Sequence, residues 1–250
     1  MSPTGVGAIA FLCVFSGALT GMYLRSRLPD HHLSPESREA IKLATAIIGT
    51  LSALALGLLI ASAKRTFDEA SNDRRTSSAR IVLLDRVLAQ YGPQTTELRA
   101  QLKAIVQARL KAEQDDTDGD LSISEGLKIE AAQDQLRNLV PQSEAQRALQ
   151  QRAIQLSGDL AEARWIRAES EVGGFPTPFL AVLIMWFTLL FASFGLLAPG
   201  NGTVVATLFI CAFSVSAALV LIIDMDHPHL GFIRVSDVPF RWAFEQIGRP

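Results

Sequence analysis

The chain has 250 residues, with 23 Lys and Arg against 25 Asp and Glu and a net charge of −2. It is 49 % hydrophobic, and so balanced a charge gives no strong positive field for nucleic acid. The apolar residues fall in long blocks rather than in periodic stripes, which excludes an ordinary soluble domain and points to a membrane protein.

The first block runs from Val6 to Leu24, long enough for a transmembrane helix. It has no basic n-region, its apolar core exceeds that of a signal peptide, and no small-x-small site follows before Arg25, so it reads as a retained span. A basic loop with Arg25, Arg27, Arg38 and Lys42 leads to the second block, Leu43–Ala63. In that block Gly49, Ala53, Gly57 and Ala61 recur every four positions, with Thr45, Ser52 and Ser62 adding weak polarity. Such a stripe packs on a neighbouring helix or lines a narrow pore. Leu51, Leu54 and Leu58 are the large residues expected at a constriction if the small stripe packs backward.

Residues 64–174 form the segment without apolar blocks, and its pattern is helical throughout. Leu84, Leu88 and Tyr91 share a face of a helix that continues the second span and stops at "YGP". Leu98, Leu102, Ile105 and Arg109 pattern the next helix, and Leu127, Ala131 and the stretch 136–140 a third. Ser143 with Gln146 three residues on is a capping-box signature for a fourth, which "GGFPTP" ends. The acidic stretch from Asp115 to Gly126 resembles a calcium loop. Leu121 and Leu127 stand where such a loop needs its glycine and its bidentate glutamate, so it reads as an acidic turn.

The third block is Phe179–Leu197 and the fourth Val204–Ile223, joined by "APGNGT". Span interiors carry no Asp, Glu, Lys, Arg or His, which argues against an intramembrane protease or a proton-coupled transporter. Motifs for nucleophilic, phosphate or dinucleotide chemistry are missing, so no enzyme and no cofactor is expected. Cys13 and Cys211 both sit inside blocks as small apolar residues. In the fourth block Ser214, Ala217, Leu221 and Asp224 lie on roughly one face.

Asp224 and Asp226 end that block, where a helix C-terminus already carries partial negative charge. Lys64 and Arg65 end the second block on the same membrane face, so they are the expected ion-pair partners, with Arg234 as a second candidate. His31/His32 and His227/His229 fall on opposite faces and cannot share a metal, so no metal site is expected. Pro228 stops the last span. Ser236 or Asp237 then caps a short helix with Pro239 in its first turn and Phe240, Ala243, Phe244 and Ile247 on one face, within a C-terminal interfacial segment spanning 224–250. Basic residues flanking the spans favour both termini and the 64–174 domain in the cytoplasm. The organisation expected is all-α: spans one and two within 1–63, a helical cytosolic domain, spans three and four within 175–223, then the C-terminal segment.

The stretches "LPDHHLSPESREAIKLATAIIGTLSALALGLLIASAKRTFD", "IVLLDRVLAQYGP", "FASFGLLAPGN" and "DMDHPHLGFIRVSDVPFR" resemble the DUF4239 family of bacterial membrane proteins, also called bestrophin-like. The resemblance covers nearly the whole chain, the Asp115 region least. It implies four spans around a helical cytosolic domain in the inner membrane, the layout of bestrophins, which are pentameric anion channels gated at a hydrophobic neck on the second span. It brings no catalytic residues, and no neck motif is matched residue by residue. Two readings follow: a homo-oligomeric channel for small anions in the lipid bilayer, lined by span two, or a non-conducting scaffold or sensor that recruits partners through the cytosolic helices.

Overall fold

The computed structural model describes residues 3–29, 34–115, 130–170, 177–226 and 233–248. Its architecture is all-α, with no strand among the described residues. In chain order the helices are α1 (Pro3–Arg27), α2 (Pro35–Tyr91), α3 (Thr96–Asp115), α4 (130–138), α5 (Glu144–Ser170), α6 (Thr177–Leu197), α7 (Gly202–Asp226) and α8 (Val238–Gln246). Four of them, α1, α2, α6 and α7, are long and apolar enough to cross a membrane. The chain forms two compact units: Met1–Phe67 with Gly174–Arg234, and Asp68–Gly173 with Val235–Pro250. The segment expected as a single interfacial piece, 224–250, is thus divided after Arg234. The EF-hand-like turn from Asp116 onward and all four histidines lie outside the described residues.

Helix ends follow local chemistry. Ser34 accepts the Ser37 N–H and Pro35 opens α2, since a missing N–H costs nothing in a first turn. The helix then runs unbroken for 57 residues, about 86 Å at 1.5 Å per residue. It stops where Gly92 takes φ 125°, a conformation open only to glycine, ahead of Pro93. The buried Thr95 hydroxyl donates to the Leu88 carbonyl (2.5 Å) and satisfies one of the last orphan acceptors. Asn201 caps α7 by accepting the Val204 N–H at 2.9 Å. Ser236 accepts the Val238 N–H at α8, whereas Asp237 makes no side-chain cap and binds Arg241 (2.7 Å).

The first unit is organised around α1. Ala10, Val14 and Ala18 are buried against Leu183, Phe187 and Leu190 of α6 and Ala212 and Leu219 of α7. The α1–α6 crossing brings backbone against backbone. A methyl built on Gly21 would run into the Ala192 carbonyl, and one on Gly195 into the Ala18 carbonyl. Small residues at such a crossing gain contact area between helices where lipid offers no hydrophobic drive. On the α7 side, Phe11 and Phe15 meet Phe209 edge to face, at 5.3 and 5.4 Å between ring centroids. Arg25 at the end of α1 donates to the terminal carbonyls of α6 at Leu197 and Ala198, a cation on the negative end of a helix dipole.

The second unit is a bundle with two apolar clusters. One joins Leu84 and Leu88 of α2, Leu98 of α3, Leu136 of α4 and Leu156 of α5. The other joins Ile81, Val106, Phe240 and Ile247, so α8 lays its expected apolar face on α2 and α3. Arg80 faces Asp159 (3.7 Å) and Tyr91 meets Gln146, which makes α5 antiparallel to α2. Ser143 accepts the Gln146 N–H (3.1 Å), and the Gln146 amide reaches both the Gln142 N–H and the Tyr91 carbonyl. One turn later Gln150 donates to the Leu136 and Leu139 carbonyls and closes the end of α4.

Candidate pore face and buried polar groups

Helix α2 differs from the other three spans in what it hides. Only 22 % of its apolar window is buried within the chain, against 39, 28 and 28 % for α1, α6 and α7. Its inward positions are Thr45, Ser52, Ala55, Leu59 and Ala63, all buried on one side of the helix. The opposite side presents Ile47, Leu51, Leu54 and Leu58, between 46 and 64 % exposed. Exposed faces elsewhere carry aromatics, such as Phe194 on α6 and Phe213 on α7. The apolar run of α2 contains none.

The residues singled out on this helix therefore divide. Ala53, Gly57 and Ala61 are exposed beside the leucine ridge, and no described residue comes within 4 Å of a side chain built at Gly57. Gly49 is half-buried, with Leu190 in ordinary contact distance. Ser52 points the other way, 1 % exposed. Among the described residues the small stripe meets no neighbour at Gly57. Close packing of small residues falls instead on Gly17 and Gly21 of α1, a spacing present in the sequence but passed over beside the longer stripe of α2.

At the far end of α7 the four-residue face read from the sequence also divides. Ser214, Ala217 and Leu221 are exposed, whereas Asp224 is 2 % exposed. Leu208, Ala212, Ser216 and Leu219 form the buried side. The Asp224 carboxylate accepts the backbone N–H of Ile233 at 2.7 Å, so it ties the end of α7 to Ile233. Lys64 and Arg65 leave the apolar run of α2 exposed, and Asp226 is half-buried.

The second unit also holds a buried acid. Asp85 is fully buried, and both its oxygens face Arg99, at 2.8 Å to Nε and 3.0 Å to Nη2. The hydrogen bond to Asp85 holds the Arg99 guanidinium above its ordinary pKa. The same carboxylate accepts the Gly248 N–H (3.2 Å), where a φ of 85° suits glycine. Arg109 lies over the Phe240 ring at 4.5 Å and Lys103 over Phe244 at 5.3 Å. Arg74 donates to the Val235 carbonyl. These contacts dock the C-terminal segment. Among the described residues no group of three or more His, Cys, Asp or Glu side chains is placed to hold a metal.

Four apolar helices, a second span that extends beyond its apolar run and a helical bundle are the features of this layout. The model of the Bestrophin-like domain matches residues 12–240, nearly the whole of this layout. The chain belongs to the bestrophin-like family. The match runs from within α1 to the first turn of α8, so it draws on both compact units. No curated protein and no solved structure matches the chain.

Proposed function

We propose that this bestrophin-like membrane protein is a homo-oligomeric channel for small anions, with α2 from each copy facing the central axis. The observation that carries the reading is the outward face of α2. It belongs to the least buried span, it lacks aromatic residues, and it sets Ala53, Gly57 and Ala61 beside Leu51, Leu54 and Leu58. Small residues let helices from several copies approach, and a ring of leucines gates by dewetting without a charged filter. Span interiors free of ionisable side chains agree with a hydrophobic gate and disfavour proton-coupled transport. Basic flanks favour a cytoplasmic location for both termini and the second unit.

Purified protein in planar bilayers, with its mass measured in mild detergent, tests the reading. Anion-selective conductance from an oligomeric particle is the expected result. A strictly monomeric particle without ion flux would eliminate the channel and leave a scaffold or sensor that acts through the second unit.

A further inference from the structure

Hydroxyl groups on the spans differ in how they are satisfied. Thr20, Thr50, Thr188, Ser193 and Thr207 each donate to the carbonyl four residues earlier, between 2.7 and 3.0 Å. A hydroxyl on a membrane helix satisfies itself in this way when nothing else is in reach. Thr45 and Ser52 on α2 and Ser216 on α7 do not. They are 8, 1 and 4 % exposed, and their hydroxyl oxygens have no hydrogen-bond partner among the described residues. All three lie in the first unit, on the buried sides of their helices. Ser52 and Ser216 are flanked by residues of one continuous core, Ala55 and Leu59 on α2 and Ala212 and Leu219 on α7.

We propose that water molecules occupy the buried sides of α2 and α7, hydrogen-bonded to Thr45 and Ser52 on the first and to Ser216 on the second. A hydroxyl both donates and accepts, which matches water. No charged side chain stands in the span interiors to balance an ion at these positions. The neighbours of these hydroxyls are small: Gly49 and Ala55 lie one turn to either side of Ser52, and Ala212 one turn before Ser216. Thr45 and Ser52 are two turns apart, ~10.5 Å along the axis, so each binds its own water. The inner face of α2 is thus held by exchangeable polar contacts as well as by apolar packing. These waters are separate from any path between copies, and a protein that conducts nothing would still hold them.

The test is water-edited solid-state NMR on the full chain in lipid. Polarisation transfer from water to the Cβ of Ser52 and Ser216 is expected to build up several-fold faster than to Thr188, whose hydroxyl is tied to Ile184. Transfer as slow as at Thr188 overturns the proposal. Thr45→Val decides the same point by stability, because it keeps the shape and removes only the hydroxyl. A hydroxyl that holds a water gives a lower apparent Tm when lost, whereas one buried without a partner gives an unchanged or higher Tm. The second outcome overturns the assignment at Thr45, and Ser52→Ala repeats the comparison without depending on that variant.

Discussion

Replacing Asp85 by alanine removes the one acid at the centre of the second unit. Three hydrogen bonds disappear together, two from Arg99 and one from Gly248. Truncating one partner of a buried ion pair costs about 3–5 kcal/mol, because the other charge is left without compensation. The Arg99 side chain is 23 % exposed, so water recovers part of its solvation and ~2–4 kcal/mol is the expected loss. Asp85→Asn keeps an acceptor oxygen and is expected to cost about 1–2 kcal/mol. Replacing both partners by leucine is expected to come close to neutral, which separates the penalty of an orphaned charge from a contribution of the pair itself. The raised pKa of Arg99 adds no pH dependence in the working range. A folded pKa above the unfolded one contributes stability that is fully present below the unfolded value and fades only above it, in strong alkali. The assay is urea unfolding of the full chain in detergent followed by tryptophan emission, since Trp242 stands on the docked α8. The release of α8 is read separately by proteolysis at the C-terminus. If Asp85→Ala stays within about 0.5 kcal/mol of the parent, the carboxylate is not the tie that holds α2, α3 and the C-terminus together.

On α1, Gly21→Ala is expected to destabilise the first unit by about 1–3 kcal/mol, since the opposing group is a backbone carbonyl that cannot swing aside; normal thermal stability would refute the close crossing. Gly57→Leu is expected to leave the protomer unchanged and shift the oligomer distribution in native mass spectra, and a destabilised monomer with unchanged assembly would contradict the outward placement. Asp224→Lys should lower yield, and adding Lys64→Asp should partly restore it; a double-mutant cycle without coupling would remove the proposed pair. A cysteine placed at Asp116 should resist an impermeant thiol reagent until cells are opened, and ready labelling of intact cells would reverse the assigned orientation.

Much of the fold could be read from the chain because membrane helices announce themselves by length. Twenty apolar residues have few alternatives once every backbone group must be satisfied internally. The continuation of α2 to Tyr91 was legible for a different reason: Leu84, Leu88 and Tyr91 keep helical spacing until Gly92 and Pro93 break it. Ser143 and Gln146 likewise marked the start of α5. Spacing did not reveal that Gln146 also reaches the Tyr91 carbonyl, because that contact joins residues 55 apart in the chain. Asp85 left a local trace that went unread. It stands among Ile81, Leu84 and Leu88 on a buried face, where an unpaired acid would be costly. Its partner, fourteen residues away beyond a turn, has no such trace.

The candidate site shows why periodicity alone stops short. Gly17 and Gly21 on α1 and the Gly49–Ala61 stripe on α2 carry the same small-xxx-small signal, yet only the first is matched by a backbone within the chain. A small residue states that something can come close; it does not say what. For α1 the answer is α6. For Gly57 the described residues supply nothing within 4 Å, and the ridge beside it is leucine rather than the aromatic residues exposed on α6 and α7. Ser52, grouped with that stripe by sequence, turns to the opposite side and is buried without a partner. Helix α2 therefore has an apolar outer face left uncovered by the described residues and an inner face with polar positions. Buried small or weakly polar residues under an apolar outer face are shared with α1 and α7, at Ala10, Ala18, Ala212 and Ser216, because large apolar side chains can face lipid. What sets α2 apart is the uncovered Gly57 and the absence of exposed aromatic residues, and these two features are the ones that support the proposal made for it.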